Sequence, residues 1–148
     1  MSFTIRLLQD SDADAWARMR VRLWDDLSDA QNQSEISKML GDGRSTTYLV
    51  IDAADNPIGF AEISIRDYAN GCTQQPVPFL EGIWIDDDHQ RRGIGRALIA
   101  RITDDLKARG HVELCSDILE TNHQSHRAHE NRGFIETERV IYFRKGLT

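Results

Sequence analysis

The chain lacks any long apolar run: no stretch approaches the roughly 20 residues needed to cross a bilayer, which excludes a helical membrane span and leaves no membrane partner to expect. Cysteine is scarce. Cys72 and Cys115 are the only two, too few for a disulfide framework and without metal-ligand spacing, so they read as reduced thiols of a cytoplasmic protein. Positive charge is in deficit, with 18 Lys and Arg against 24 Asp and Glu for a net charge of -6. That balance argues against general nucleic-acid binding and suits a cationic partner. The opening residues, MSFTIRLLQDSD, carry no basic stretch followed by an apolar one, so no export signal is expected and the cytoplasm is favoured. Internal repeats, low-complexity segments and linkers are all missing. The 148 residues are thus expected to form one domain, 1–148, large enough for a real core.

What is present is a patterned α/β sequence. FTIRLL alternates as a first strand. Asp10 or Ser11 is placed to cap a helix through ADAWARMRVRLWDDL, whose Trp16, Met19, Leu23 and Trp24 fall near helical spacing. SEISKMLGDG reads as a short second helix capped by Ser34 and ended by Gly41. STTYLVIDAADNPIGFAEISIRDY reads as two strands with a turn at Asp55, Asn56 and Pro57. After the polar loop NGCTQQPVP, FLEGIWI is a strand apolar on both faces except at Glu81, as a central sheet position requires. GRALIARITDDLKARG is an amphipathic helix with Leu98, Ile102 and Leu106 on one face. HVELCSDI reads as a strand, NHQSHRAHENRGF as a short helix ending at Gly133, and IETERVIYFRK as a final strand. The order β-α-α-β-β-β-α-β-α-β implies a mixed sheet flanked by helices.

One corner concentrates unusual residues. Ile83, Trp84 and Ile85 end a strand in three aspartates; Gln90, Arg91, Arg92, Gly93, Ile94, Gly95 and Arg96 then lead into a helix. Free backbone N–H groups and the helix dipole point at one place there, a ready site for phosphate. Glycine lets the backbone approach an anion closely, and the arginines add charge. The dinucleotide fingerprint does not fit, because Leu98 stands where its third glycine would fall, and no Gly-Lys-Ser/Thr follows for a Walker loop. An ordinary strand-to-helix turn with surface arginines is the plain alternative.

Gln90-x-x-Gly93-x-Gly95 resembles the acetyl-CoA pyrophosphate loop of the GCN5-related N-acetyltransferases, and Asn122 with the Gly133–Phe134 pair is similar to that family's later motif. The stretches YANG, PVPFLEGIWI and CSDI…N..SH…H…GF.ETE.VIYFRK, with RVRLW in the first helix, resemble one subgroup, the aminoglycoside 6′-N-acetyltransferases, from about Trp24 to Lys145. The resemblance implies a central, mostly antiparallel sheet that splays at the acetyl-CoA site. It implies a strand, Ile83 to Ile85, whose backbone pairs with the pantetheine arm, an oxyanion donor at a backbone N–H near Ile83, and a cofactor contact by Asn122, which as plain structure is a helix N-cap. It also implies a homodimer, with the C-terminal strand as a plausible point of exchange.

The acceptor is implied in the same way. Glu81, Asp117 and Glu138 are expected to line a pocket walled by Trp24 and Tyr68, although Trp24 also fits an ordinary core position and Glu138 a solvated strand. An aminoglycoside is a hydroxylated polycation, which carboxylates and aromatic faces both attract. A primary ammonium must lose a proton before its nitrogen attacks a thioester, and a carboxylate is the natural acceptor; Asp117 is the first choice and Glu81 the second. The acetyl group arrives activated, so neither cysteine is needed as a nucleophile. Many family members have a tyrosine four residues before the glycine of Gly-Phe, to protonate the leaving thiolate. Here that position is His129, which has three readings: acid, partner of the cofactor sulfur, or bystander. His89, His123 and His126 read as surface histidines, Glu136 and Asp86 to Asp88 as solvated charge, and no metal is expected.

These readings converge on transfer of an acetyl group from acetyl-CoA to an aminoglycoside amine, in a ternary complex, conferring resistance on a bacterium. A polyamine, or a protein or peptide amine, would suit an acidic pocket too. A non-catalytic acyl-CoA-binding module would leave the carboxylates unexplained.

Overall fold

The computed structural model describes residues 2–90 and 92–148. Its strands are β1 (Phe3–Leu7), β2 (Ser45–Asp52), β3 (Pro57–Arg66), β4 (Val77–Ile85) and β5 (Cys115–Ser116); its helices are α1 (Ala13–Leu23), α2 (Asp29–Gly41), α3 (Ile94–Ala108) and α4 (His123–Asn131). The sheet order β1-β2-β3-β4-β5 follows the chain. The first four strands pair antiparallel, and β5 joins β4 in parallel after the α3 crossover. This is the mixed, mostly antiparallel sheet that the sequence implies.

Alternation along β2 explains the layering. Tyr48 and Val50 face α3, where they meet Leu98, Ile102 and Leu106. Leu49 and Ile51 face α1 and α2, where Trp16, Met19 and Ile36 close the second core with Phe60. With both faces covered, β2 must be apolar throughout its centre, as it is. Beneath α1 lies a polar exception. Glu62 and Arg20, each 3% exposed, are bonded at 2.7 Å; Trp16 Nε1 donates to the same carboxylate at 2.9 Å, and Arg20 also donates to Asn32 and Glu35. Burial pushes the Glu62 carboxyl up, against the pull of Arg20.

Several boundaries differ from the sequence expectation. Asp10–Asp12 form a 3-10 turn before α1, because Asp12 is drawn back to Arg6 at 2.7 Å and to the Gln9 N–H. The cap of α2 is Ser28, whose Oγ accepts the Gln31 N–H, so this helix begins earlier than a Ser34 cap implies. The expected strand through HVELCSDI is reduced to Cys115–Ser116, paired with Phe79 and Leu80. The expected last strand is not formed: residues 134–148 have no ladder partner, and Ile135, Ile141, Tyr142 and Phe143 are exposed. The expectation of reduced thiols is also overturned, since Cys72 and Cys115 form a disulfide across a separation of 43 residues. Two cysteines are too few for a framework, but the fold brings these two together.

Candidate active site

Two features of β4 shape the site. Its register against β3 slips between Glu62/Gly82 and Ile63/Leu80, leaving Glu81 as the bulged residue; a bulge re-aims a side chain and bends the strand. On its other side, pairing with β5 stops at Leu80–Ser116. Ile83, Trp84 and Ile85 therefore pair with Ala61, Phe60 and Gly59 only, and their opposite backbone edge has no strand beside it among the described residues. The expected splay falls at this opening. The three side chains pack inward, Ile83 on the α3 side and Trp84 on the α1 side, with Ile85 buried.

The following turn folds as a cradle. Gln90 Nε2 donates to the Ile85 carbonyl at 3.1 Å and to Asp87 at 3.2 Å. Gly93, at φ 77°, is the left-handed N-cap of α3, a conformation costly for a residue with a Cβ. The first amide to bond back is that of Ala97, to the Gly93 carbonyl, so the N–H groups of the first turn face outward as helix geometry dictates. A Cβ on Gly95 would press against the Arg132 guanidinium, which would have to shift to admit it. Ile94 is core, leaving its backbone to serve the turn. Arg92 is exposed, and Arg96 donates to the Asn131 carbonyl at 3.1 Å, tying α3 to α4. Arg91 lies outside the described residues. Asn122 caps α4, its Oδ1 accepting the Ser125 N–H at 3.1 Å. The guanidinium of Arg132, a residue absent from the sequence reading, has no hydrogen-bond or ion-pair partner among the described residues, and burial lowers its basicity. This donor set fits the diphosphate of acetyl-CoA: outward N–H groups, a left-handed glycine at Gly93 and nearby cations.

A pocket of about 560 Å³ opens on the β5 side of β4. It brings together Tyr68, Asp117, His129 and Glu138, with Arg66 and Tyr142. Asp117, Glu138 and Tyr68 are exposed to it. Trp24 and Glu81 do not line it. Trp24 stacks near Phe60, at 6.2 Å between rings, and fills the space over Gly82, on the α1 side of the sheet. Glu81 is bound on both oxygens by Arg66, at 2.7 and 2.9 Å, and also accepts from Ser64. The half-buried carboxylate thus has an ion-pair partner. Arg66 in turn lies 3.6 Å from the Phe79 ring centroid. Its guanidinium is held above the usual basicity chiefly by the Glu81 bond, with Asp117 and Tyr142 adding. Of the two candidate bases, Glu81 is therefore engaged by Arg66, and Asp117 is the one exposed to the pocket.

His129 sits between α4 and β5. Its Nδ1 is 2.8 Å from the Ser125 carbonyl, which can only accept, so Nδ1 carries the proton. Nε2 is 2.8 Å from Ser116 Oγ, which donates to it when the ring is neutral. Ser116 is a site residue that sequence reasoning missed; its only signal was its place two residues after Leu114, in a strand beside the Gly133–Phe134 motif. His126, read as a surface histidine, and Glu136, read as solvated charge, both line this pocket, where His126 pairs with Glu130 at 3.0 Å and Glu136 with Arg139. Cys72, Glu113 and Cys115 are the one His, Cys, Asp and Glu group with metal-like spacing among the described residues. Its sulfurs are joined to each other, and Glu113 accepts from the Thr73 and Gln74 amides.

The profile of the acetyltransferase (GNAT) family matches residues 9–134. The chain belongs to this family. Among GNAT proteins, it is 41% identical to an aminoglycoside N(6′)-acetyltransferase type 1 of Stenotrophomonas maltophilia, over 97% of this chain and 94% of that one. It is 36% identical to the enzyme of the same name from Serratia marcescens, over 97% and 99%. Its fold is similar to the solved structure of AAC(6′)-Iy in complex with the bisubstrate analogue CoA-S-monomethyl-acetylneamine, with a TM-score of 0.91, 32% identity, and coverage of 99% of this chain and 100% of that one. No helix among the described residues is long and apolar enough to cross a membrane.

Proposed function

We propose that this GNAT chain transfers the acetyl group of acetyl-CoA to the 6′-amine of an aminoglycoside. The carrying observation is the juxtaposition of a phosphate-ready turn at the end of β4 with an acidic, aromatic-edged pocket on the β5 side of the same strand, at Phe79. The relatives' names and the bisubstrate analogue that AAC(6′)-Iy binds support the reading.

Acetyl-CoA supplies an activated thioester, so no covalent enzyme intermediate is needed. Asp117 and Glu138 attract the polycation, and Tyr68 offers a face at the mouth. Asp117 takes a proton from the attacking ammonium, directly or through water. The Ile83 amide region stabilises the developing oxyanion. In its protonated form His129, held at Nδ1 by the Ser125 carbonyl, gives its Nε2 proton to Ser116 Oγ while the Ser116 hydroxyl proton passes to the departing sulfur, leaving a neutral ring. Glu81 acts by fixing Arg66 against Phe79, which positions the floor of the pocket. Transfer by this route to aminoglycosides in a bacterial cytoplasm would confer resistance.

The active form is a homodimer. The apolar segment Val140 to Phe143 has the composition of a strand but no ladder partner, and Phe143 is 92% exposed. A second copy supplies that partner and fixes Glu138 and Tyr142 at the pocket.

A panel assay, detecting the acetylated product by mass, tests the activity. Acetylation of kanamycin- and tobramycin-type amines in preference to polyamines and peptide amines is expected. Preference for a polyamine or peptide would sink the aminoglycoside assignment, and binding of acetyl-CoA with no transfer to any amine would leave a binding module.

A further inference from the structure

The Cys72–Cys115 disulfide occupies a place that the catalytic account does not use. Cys72 lies in the loop 67–76 between β3 and β4, four residues after Tyr68. Cys115 opens β5, opposite Phe79 and two residues before Asp117. Both cysteines are partly exposed and pack beside Ala69, Val77 and Phe79. They line the same pocket as Tyr68, Asp117 and Glu138.

The two halves of this loop are held differently. The Thr73 and Gln74 amides donate to Glu113 at 2.6 and 2.5 Å, Gln74 Oε1 accepts the Val112 N–H at 2.9 Å, and Gln74 Nε2 is 2.7 Å from His111 Nδ1. That half is anchored without the sulfurs. The first half is held at its start by an exposed Asp67–Arg44 ion pair of 2.8 Å, and beyond it Tyr68 and Asn70 have an internal bond of 2.8 Å and one of 3.2 Å to Tyr142, itself in the exposed terminal segment. Gly71, at φ 78°, lies against Thr137. The covalent tie is the strongest connection between the Tyr68 side of the pocket and the Asp117 side.

We propose that Cys72 and Cys115 are a reversible redox-modification site that sets acceptor affinity by tying the Tyr68 half of the loop to β5. The chemistry is thiol–disulfide exchange. A dithiol reductant breaks the Cys72–Cys115 bond and leaves two protein thiols and its own disulfide. A small-molecule disulfide such as oxidised glutathione runs the exchange the other way, reforming the bond and releasing two small thiols. Reduction frees residues 68–72, whereas 73–74 stay bonded to Glu113. The phosphate-ready turn at Gly93 makes none of these contacts and keeps its affinity for acetyl-CoA.

The pocket-affinity part rests on the acceptor reading given above, so the test has two readouts. The intact protein is treated with dithiothreitol or with oxidised glutathione, and free thiols are counted by alkylation and mass. Hydrogen exchange and mass-detected acetyl transfer are then measured. Reduction is expected to expose both thiols, speed amide exchange at 68–72 but not at 73–74, and raise the aminoglycoside KM about tenfold with acetyl-CoA affinity unchanged. Cys115→Ala should behave as the reduced protein and ignore both reagents. Thiols that stay free under oxidised glutathione would overturn the proposal. So would a reduced protein with unchanged exchange and unchanged acceptor KM. An exchange difference without acetylation in either state would instead overturn the aminoglycoside assignment.

Discussion

The two sides of the candidate site are built in different ways. On the cofactor side, the turn at Gly93 is clamped between Ile85, Ile94 and Leu98, all buried, and its geometry follows from one strand end and one helix start. On the acceptor side, the pocket is assembled from the loop 67–76, a two-residue strand, a short helix and a terminal segment without strand partners. The contrast teaches where this enzyme keeps its rigidity. Binding a constant anion needs a fixed cradle, whereas the acceptor wall is held by a disulfide, a few polar contacts and, in our reading, a second copy.

The comparison breaks most severely through the buried pair beneath α1. Arg20→Met strands Glu62 with only the Trp16 N–H, and removing one partner of a buried pair costs about 3–5 kcal/mol; a large fall in Tm by calorimetry is expected. An unchanged Tm would show that the core half is not the stiff one. Gly95→Ala sets a methyl group against Arg132. A loss of about tenfold in acetyl-CoA affinity by titration calorimetry is expected, equal to about 1.4 kcal/mol, with the acceptor KM unmoved. A pH profile adds a third. Burial, with the Asp105 bond, pushes the Tyr48 phenol up to about 12. A raised folded-state value means stability is whole below the unfolded value near 10 and is lost as pH rises through 12. Thermal unfolding should therefore weaken from about pH 10 to 12 in the native chain and less in Tyr48→Phe. The smallest effect belongs to the pocket rim: Arg139→Ala removes exposed pairs with Glu120 and Glu136, and no measurable change in Tm is expected.

Much of the cofactor side was legible because its causes are local. A glycine at a helix start, an apolar strand and a periodic helix face each declare themselves within a few residues. Asp55, at φ 67°, sits in the turn read from Asp55, Asn56 and Pro57 for the same reason. The acceptor side depends on pairings distant in sequence. Glu81 was recognised as a residue needing a partner, but naming Arg66 required the bulge that shifts the register of β4. IETERVIYFRK has the composition of a strand, yet a strand exists only against another edge, and none is offered within this chain among the described residues. Spacing alone could not say that Cys72 and Cys115 meet, nor that Trp24 packs over Gly82 instead of reaching the pocket beside Asp117.

The most direct test of the division between the two sides is Asp117→Asn, assayed for acetyl transfer to a 6′-amino aminoglycoside alongside calorimetric binding of acetyl-CoA. The account predicts a fall in kcat/KM for the acceptor of roughly 10²–10⁴-fold, with acetyl-CoA affinity unchanged. Full turnover in this variant, or loss of acetyl-CoA binding with it, would contradict the account.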